Sequence, residues 1–267
     1  MSLVDGSTSW NLRTWNVVLY LPMALSKSDR KKGAPKPRVP LPSGEAPPHY
    51  SADIPKKLSD ITWRIFRIMA EFVEGFEFLS TSQHEISIFG STQFHAGNVW
   101  YEQARALGYM LGKKGHTIVT GGGPGIMEAA NRGAYEAGAE SLGINIQLPR
   151  EQRVNPYVTR GRGFHYFFTR KVMLAAAARA YVFFPGGFGT LDEVTELVQL
   201  IQTNKMQRIP IILVGKEFWT PLLEWMEKTM VKKYKTVPAA DMHIYQLVDT
   251  AQEAMEIIRA SPDRSFF

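Results

Sequence analysis

The chain is 267 residues long, with a formal net charge of +6 and no cysteine. The missing cysteines exclude disulfides, thiolate nucleophiles and cysteine-ligated zinc or iron–sulfur centres, and fit a reducing compartment. No apolar run reaches the ~18 residues of a membrane span and no signal-peptide order opens the chain, so a soluble cytoplasmic protein without a membrane partner is expected.

The charge excess has an address. Residues 1–57 carry nine Lys/Arg against four Asp/Glu, which leaves a net +1 for residues 58–267. A near-neutral body argues against a broad basic face, so nucleic acid is not expected as a partner. Eight of the 16 prolines lie in the first 55 residues. Proline fixes φ and removes a donor, so residues 1–55 read as an extended, proline-rich basic arm. The apolar patch at Trp10, Trp15 and Val17–Tyr20 is expected to dock on the body or on a second subunit, with 26–48 as a strap.

Residues 56–80 read as an amphipathic helix, with Leu58, Ile61, Ile65, Ile68, Met69 and Phe72 at helical spacing. From 81 to 267 strands and helices alternate. Strands are predicted at 85–89, 117–120, 142–148, 180–184, 210–214 and 244–248. Helices are predicted at 98–113, 125–137, 169–179, 191–203, 217–232 and 250–260, with an irregular excursion at 149–164. Continuous apolar strands such as Ala-Tyr-Val-Phe-Phe suit a sheet buried on both faces. The fold class is therefore α/β, a doubly wound parallel sheet of Rossmann-like type with an N-terminal arm and helix. In such sheets ligands bind beyond the carboxyl ends of the strands.

Three glycine-bearing segments fall at those ends: Gly90-Ser91, Gly121-Gly122-Gly123-Pro124-Gly125, and Pro185-Gly186-Gly187-Phe188-Gly189-Thr190. Glycines let a ligand approach the main chain, and the following helix offers N–H groups and a positive dipole end to an anion. Neither cluster is a Walker loop or a dinucleotide fingerprint. Thr190 and Glu193 have the spacing of a capping box; phosphate and sugar contacts are the other reading, and spacing leaves both open. Arg170-Lys171 near a helix start opposes the helix dipole; an anionic partner and a surface pair salt-bridged to its neighbours are both open readings. The six histidines show no metal-ligand spacing, and no metal or cofactor is called for.

Taken in order, Gly121–Gly123, Arg170-Lys171 and Pro185–Glu193 resemble the LONELY GUY family, called "lysine decarboxylase-like" in older naming. The resemblance covers roughly residues 84–260. It implies a phosphoribohydrolase that splits the N-glycosidic bond of a nucleoside 5′-monophosphate, AMP or an N6-modified AMP, into free base and ribose 5-phosphate. By this resemblance Arg170 and Glu193 match the catalytic pair, and Gly186, Gly187, Gly189 and Thr190 the phosphate cradle. Gly90, Ser91, Gly121, Gly122 and Gly123 match the other walls, with Glu128 and Lys171 also counted as substrate-binding. It also implies a homodimer, with helices 98–113 and 169–203 near the interface. The arm, the Pro124–Glu128 stretch and the 149–164 excursion depart from the short plant pattern and leave the base open. Decarboxylation would need an electron sink such as pyridoxal phosphate, for which no site is evident. The alternative function is a non-catalytic nucleotide-binding or molybdenum-cofactor carrier protein.

Overall fold

The computed structural model describes residues 58–147 and 154–262. All described residues belong to one compact unit. The expected arm, its apolar patch and the strap lie outside the described residues.

This unit alternates helices and strands: α1 Leu58–Ser80, β1 Glu85–Phe89, α2 Val99–Lys113, β2 Thr117–Thr120, α3 Ile126–Ala137, β3 Ser141–Ile146, β4 Arg160–Phe164, α4 Phe167–Ala176, β5 Ala180–Phe183, α5 Phe188–Gln202, β6 Ile211–Val214, α6 Lys216–Trp225, β7 Tyr245–Val248 and α7 Ala251–Ala260. Seven strands form one sheet in the order β4-β3-β2-β1-β5-β6-β7. Every pairing is parallel. The chain winds outward from β1 to β4, returns to place β5 beside β1, and then winds the other way. The reversal between β1 and β5 is the topological switch point, where doubly wound sheets open a crevice.

Side chains alternate across each strand and feed two cores. Ile86, Ile88, Ile118, Val182 and Ile212 meet α2, α3 and α7 on one face. Phe89, Val119, Ile144, Tyr181 and Leu213 meet α4, α5 and α6 on the other. Phe72, Phe78 and Leu79 of α1 lean on this second core. Of the face its spacing suggested, Phe72 turns inward while Ile61, Ile65 and Met69 are exposed.

Three further boundaries differ from the sequence reading. The excursion at 149–164 ends in a strand, β4, whose Gly161 and Gly163 lack the β-branched signature of strands yet pair with Gly143 and Asn145. Helix α6 gives way after Trp225 to a π-helical turn, Met226–Lys233. Helix α5 begins at Phe188, three residues earlier than expected, with Gly187 as its N-cap. That last shift rules out the capping box: Thr190 and Glu193 lie inside the helix, and Thr190 is not at its N-cap.

Candidate active site at the switch point

Three turns meet above the carboxyl ends of β1, β2 and β5, and backbone hydrogen bonds tie them together. Ser91 N–H donates to Pro185 O at 3.0 Å, and Ile126 N–H donates to Ser91 O at 3.0 Å. Gly125, at φ +75°, allows the second bond, because a Cβ there would lie 2.2 Å from Ser91 O. The N-caps of α3 and α5 are Gly125 and Gly187, neither with a side-chain cap. Both helices thus bring first-turn N–H groups and a positive dipole end to one mouth, an arrangement suited to an anion.

The glycine-rich turn before α5 has two kinds of glycine. A Cβ on Gly186 would sit 2.1 Å from Thr190 Oγ1, so this glycine lets the Thr190 hydroxyl fold against the turn. Gly187 and Gly189 face open space, with nothing within 4 Å of a Cβ, and neither has a positive φ. Neither packing nor backbone strain demands glycine at these two positions. A ligand approaching the main chain supplies a reason.

Arg170 lies in the second turn of α4 and reaches across β3, where its Nε donates to Ile144 O at 2.8 Å. Its guanidinium passes beside the Gly121 turn: a Cβ on Gly121 would meet Nη2 at 2.5 Å. Burial lowers the pKa of this group, and the opposing charge of Glu193 raises it. Glu193, on α5, is only 7% exposed. Burial pushes its carboxyl up to about 7; Lys171 and Arg170 pull it down, and Glu196 and Asp192 add to the rise. A buried carboxyl with a raised pKa, set near a buried guanidinium, is the kind of group that active sites collect.

Lys171 has a different place from its neighbour. Its Nζ lies 2.8 Å from Asp192 Oδ2 and 3.2 Å from Glu196 Oε2, bridging α4 to α5 on either side of Glu193. Burial lowers its pKa, but the bonds to Asp192 and Glu196 outweigh this and the net shift is upward. Glu128 is drawn toward α2, where Tyr101 Oη–H donates to its Oε1 at 3.0 Å. The structure therefore gathers Gly90, Ser91, Gly121–Gly123, Arg170, Gly186–Thr190 and Glu193 around the switch point. Lys171 acts as a strut behind them, and Glu128 belongs to the α2–α3 contact.

Residues outside the motifs also build the site. Glu71 of α1 accepts from the His165 N–H at 2.7 Å and from the Thr169 hydroxyl, so it ties α1 to the segment leading into the helix that carries Arg170. Below the Gly121–Gly123 turn lies a buried network of Thr120, Asn131, Ser141 and Asn155. Asn145 Oδ1 is buried there without a hydrogen-bond partner among the described residues. A polar residue inside the apolar run Leu142–Ile146 was the available signal; a carboxylate from a distant helix left none. A separate cavity of about 450 Å³, lined by Leu223, Val231, Met242, Tyr245 and Leu247 among others, shares no residue with these turns.

A family described as "Possible lysine decarboxylase" matches residues 127–258. A probable cytokinin riboside 5′-monophosphate phosphoribohydrolase of Oryza sativa subsp. japonica is 24% identical over 195 residues, covering 72% of this chain and 77% of that protein. The pyrimidine/purine nucleotide 5′-monophosphate nucleosidase of Escherichia coli (strain K12) is 29% identical over 175 residues, covering 60% of this chain and 37% of that protein. Among solved structures, the molybdenum cofactor binding protein of Rippkaea orientalis superposes with a TM-score of 0.50 at 19% identity, covering 66% of this chain and 94% of its own. The molybdenum cofactor carrier protein of Chlamydomonas reinhardtii gives 0.50 at 20%, covering 67% and 100%. At these identities the structural likenesses show the fold. Among the described residues no helix is long and apolar enough to cross a membrane.

Proposed function

We propose that this chain, a relative of the LONELY GUY phosphoribohydrolases, hydrolyses the N-glycosidic bond of a purine nucleoside 5′-monophosphate, AMP or an N6-modified AMP, to free base and ribose 5-phosphate. The observation that carries the reading is the coupling of Glu193 and Arg170 at the switch point, beside two helix N-termini without side-chain caps. The phosphate sits over the Gly186–Thr190 turn and the start of α5, where N–H groups meet it. The glycosidic bond then lies between the two buried charged groups.

Cleavage passes through an oxocarbenium-like state in which positive charge develops on the sugar. The ionised Glu193 carboxylate stabilises that charge, orients the ribose hydroxyls and accepts a proton from the attacking water. Arg170 holds the anionic end or assists the departing base. Lys171, held by Asp192 and Glu196, keeps α4 and α5 in register and lowers the pKa of the nearby Glu193. The relatives' names support this reaction class, and a homodimer is part of the same proposal. Incubation with a panel of nucleoside 5′-monophosphates, followed by separation of free base, tests it. Release from at least one purine monophosphate is expected. Binding without release from any of them would overturn hydrolysis and favour a carrier.

A further inference from the structure

The Gly121–Gly123 turn is held by a residue that none of the glycine motifs contains. The Asn155 N–H donates to Gly122 O at 2.9 Å, and its Nδ2 donates to Gly123 O at 3.0 Å. The same Nδ2 donates to Asn131 Oδ1 at 2.9 Å, and Asn155 Oδ1 accepts from Tyr157 N–H at 3.2 Å. Asn131 in turn is fixed by the Thr120 hydroxyl at 2.6 Å and by Ser141 Oγ at 2.7 Å. Thr120 Oγ1 also accepts from Gly122 N–H at 2.9 Å. Asn155 is 7% exposed, so these bonds form away from competing water.

Two consecutive carbonyls of the turn are thus bonded to one side chain and its backbone. A carbonyl oxygen carries partial negative charge, and one turned toward a phosphate would repel it. Gly121, in the same turn, lies against the Arg170 guanidinium. A shift of the turn therefore moves both the wall of the anion site and the contact surface of Arg170.

We propose that Asn155 is a positioning residue for the monophosphate site. It withdraws the Gly122 and Gly123 carbonyls from the pocket and fixes the turn against which Arg170 is placed. The inference rests on the nucleotide reading of this site and extends it to a residue outside the family motifs. Asparagine suits the role because its backbone and side chain present two donors to adjacent carbonyls while its Oδ1 closes the local turn at Tyr157.

The test uses the full chain, wild type and Asn155→Ala, with Thr159→Ala as the structural control. Thr159 anchors the same segment to Ser141, accepting from its N–H at 2.9 Å and donating to its carbonyl at 3.0 Å, without touching the glycine turn. Calorimetry with AMP, thermal melting and steady-state base release are measured on each. For Asn155→Ala a Kd and KM for AMP raised about tenfold or more are expected, with kcat within about threefold, because small displacements of binding groups are costly. Thr159→Ala is expected to lose a comparable amount of Tm with wild-type affinity. An Asn155→Ala protein that binds AMP as wild type does, or a Thr159→Ala protein with the same loss of affinity, would overturn the positioning role. If Asn155→Ala does not fold, Asn155→Ser replaces it; a weakened Kd supports the role and a wild-type Kd overturns it. Failure of the nucleotide reading is distinct: wild type itself would then not bind AMP, and the positioning role would fall with it.

Discussion

Replacing Glu193 by glutamine is expected to abolish base release and, at alkaline pH, to make the protein more stable. The side chain is 7% exposed, and burial moves its carboxyl from 4.5 to about 7. Below about pH 4.5 the folded and unfolded chains both hold the proton, and the residue costs nothing as a charge. As pH rises, the unfolded chain ionises first, so stability falls until the folded carboxyl also ionises near 7. Above that point, keeping the charge inside costs on the order of 3 kcal/mol. Glutamine preserves the shape and never ionises. The variant should therefore differ from wild type by less than about 1 kcal/mol at pH 5 and exceed it by about 3 kcal/mol at pH 8. For a chain of this size that is a rise in Tm of roughly 6 °C or more at pH 8. Thermal melts of both proteins from pH 5 to pH 9 read the difference directly. A stability gap independent of pH, or a glutamine variant less stable than wild type at pH 8, would refute the buried-charge account.

Other outcomes follow from the same geometry. The kcat/KM of base release should fall on the acid side of a limb near pH 7, because the reaction needs Glu193 ionised; a flat profile from pH 5 to 8 would contradict that role. Gly121→Ala should lower base release about tenfold or more with a small loss of stability, since its Cβ meets only the movable ends of Arg170 and Met127; wild-type turnover would contradict the placement of Arg170. Gly125→Ala should instead cost more than about 2 kcal/mol in denaturant unfolding, because its Cβ would strike the Ser91 backbone and its φ is +75°. AMP should bind far better than adenosine in calorimetry if, as proposed, the two helix N-termini receive the 5′-phosphate; equal affinities would sink the phosphate cradle.

The fold was legible where burial and chemistry are periodic. Continuous apolar strands and glycine-terminated helices placed β1, β2 and α3 to within a residue or two. The strand β4 was hidden because Arg160-Gly-Arg-Gly-Phe carries no apolar alternation; its pairing with β3 depends on tertiary contact rather than propensity. In the candidate site, the glycine turns stood out because close backbone approach restricts residue type, whereas Arg170 and Glu193 were singled out by the family resemblance. The ambiguity at Thr190 and Glu193 was real in the sequence, since a capping box and a phosphate turn use the same residues; the start of α5 at Phe188 removes the capping box. The partners of Lys171, Asp192 and Glu196, were not legible from its position in the chain because they lie on another helix. Glu71 and Asn155 were invisible for the same reason, as each acts on an element far away in the chain.

The measurement that bears most directly on the central claim is product analysis after incubation with AMP. Wild-type protein and Glu193→Gln, matched for concentration and both folded by thermal melting, are compared for free adenine and ribose 5-phosphate. Equal molar amounts of the two products are expected from wild type, none from adenosine in place of AMP, and none from Glu193→Gln. Adenosine and free phosphate as products, or undiminished adenine release by Glu193→Gln, would contradict it.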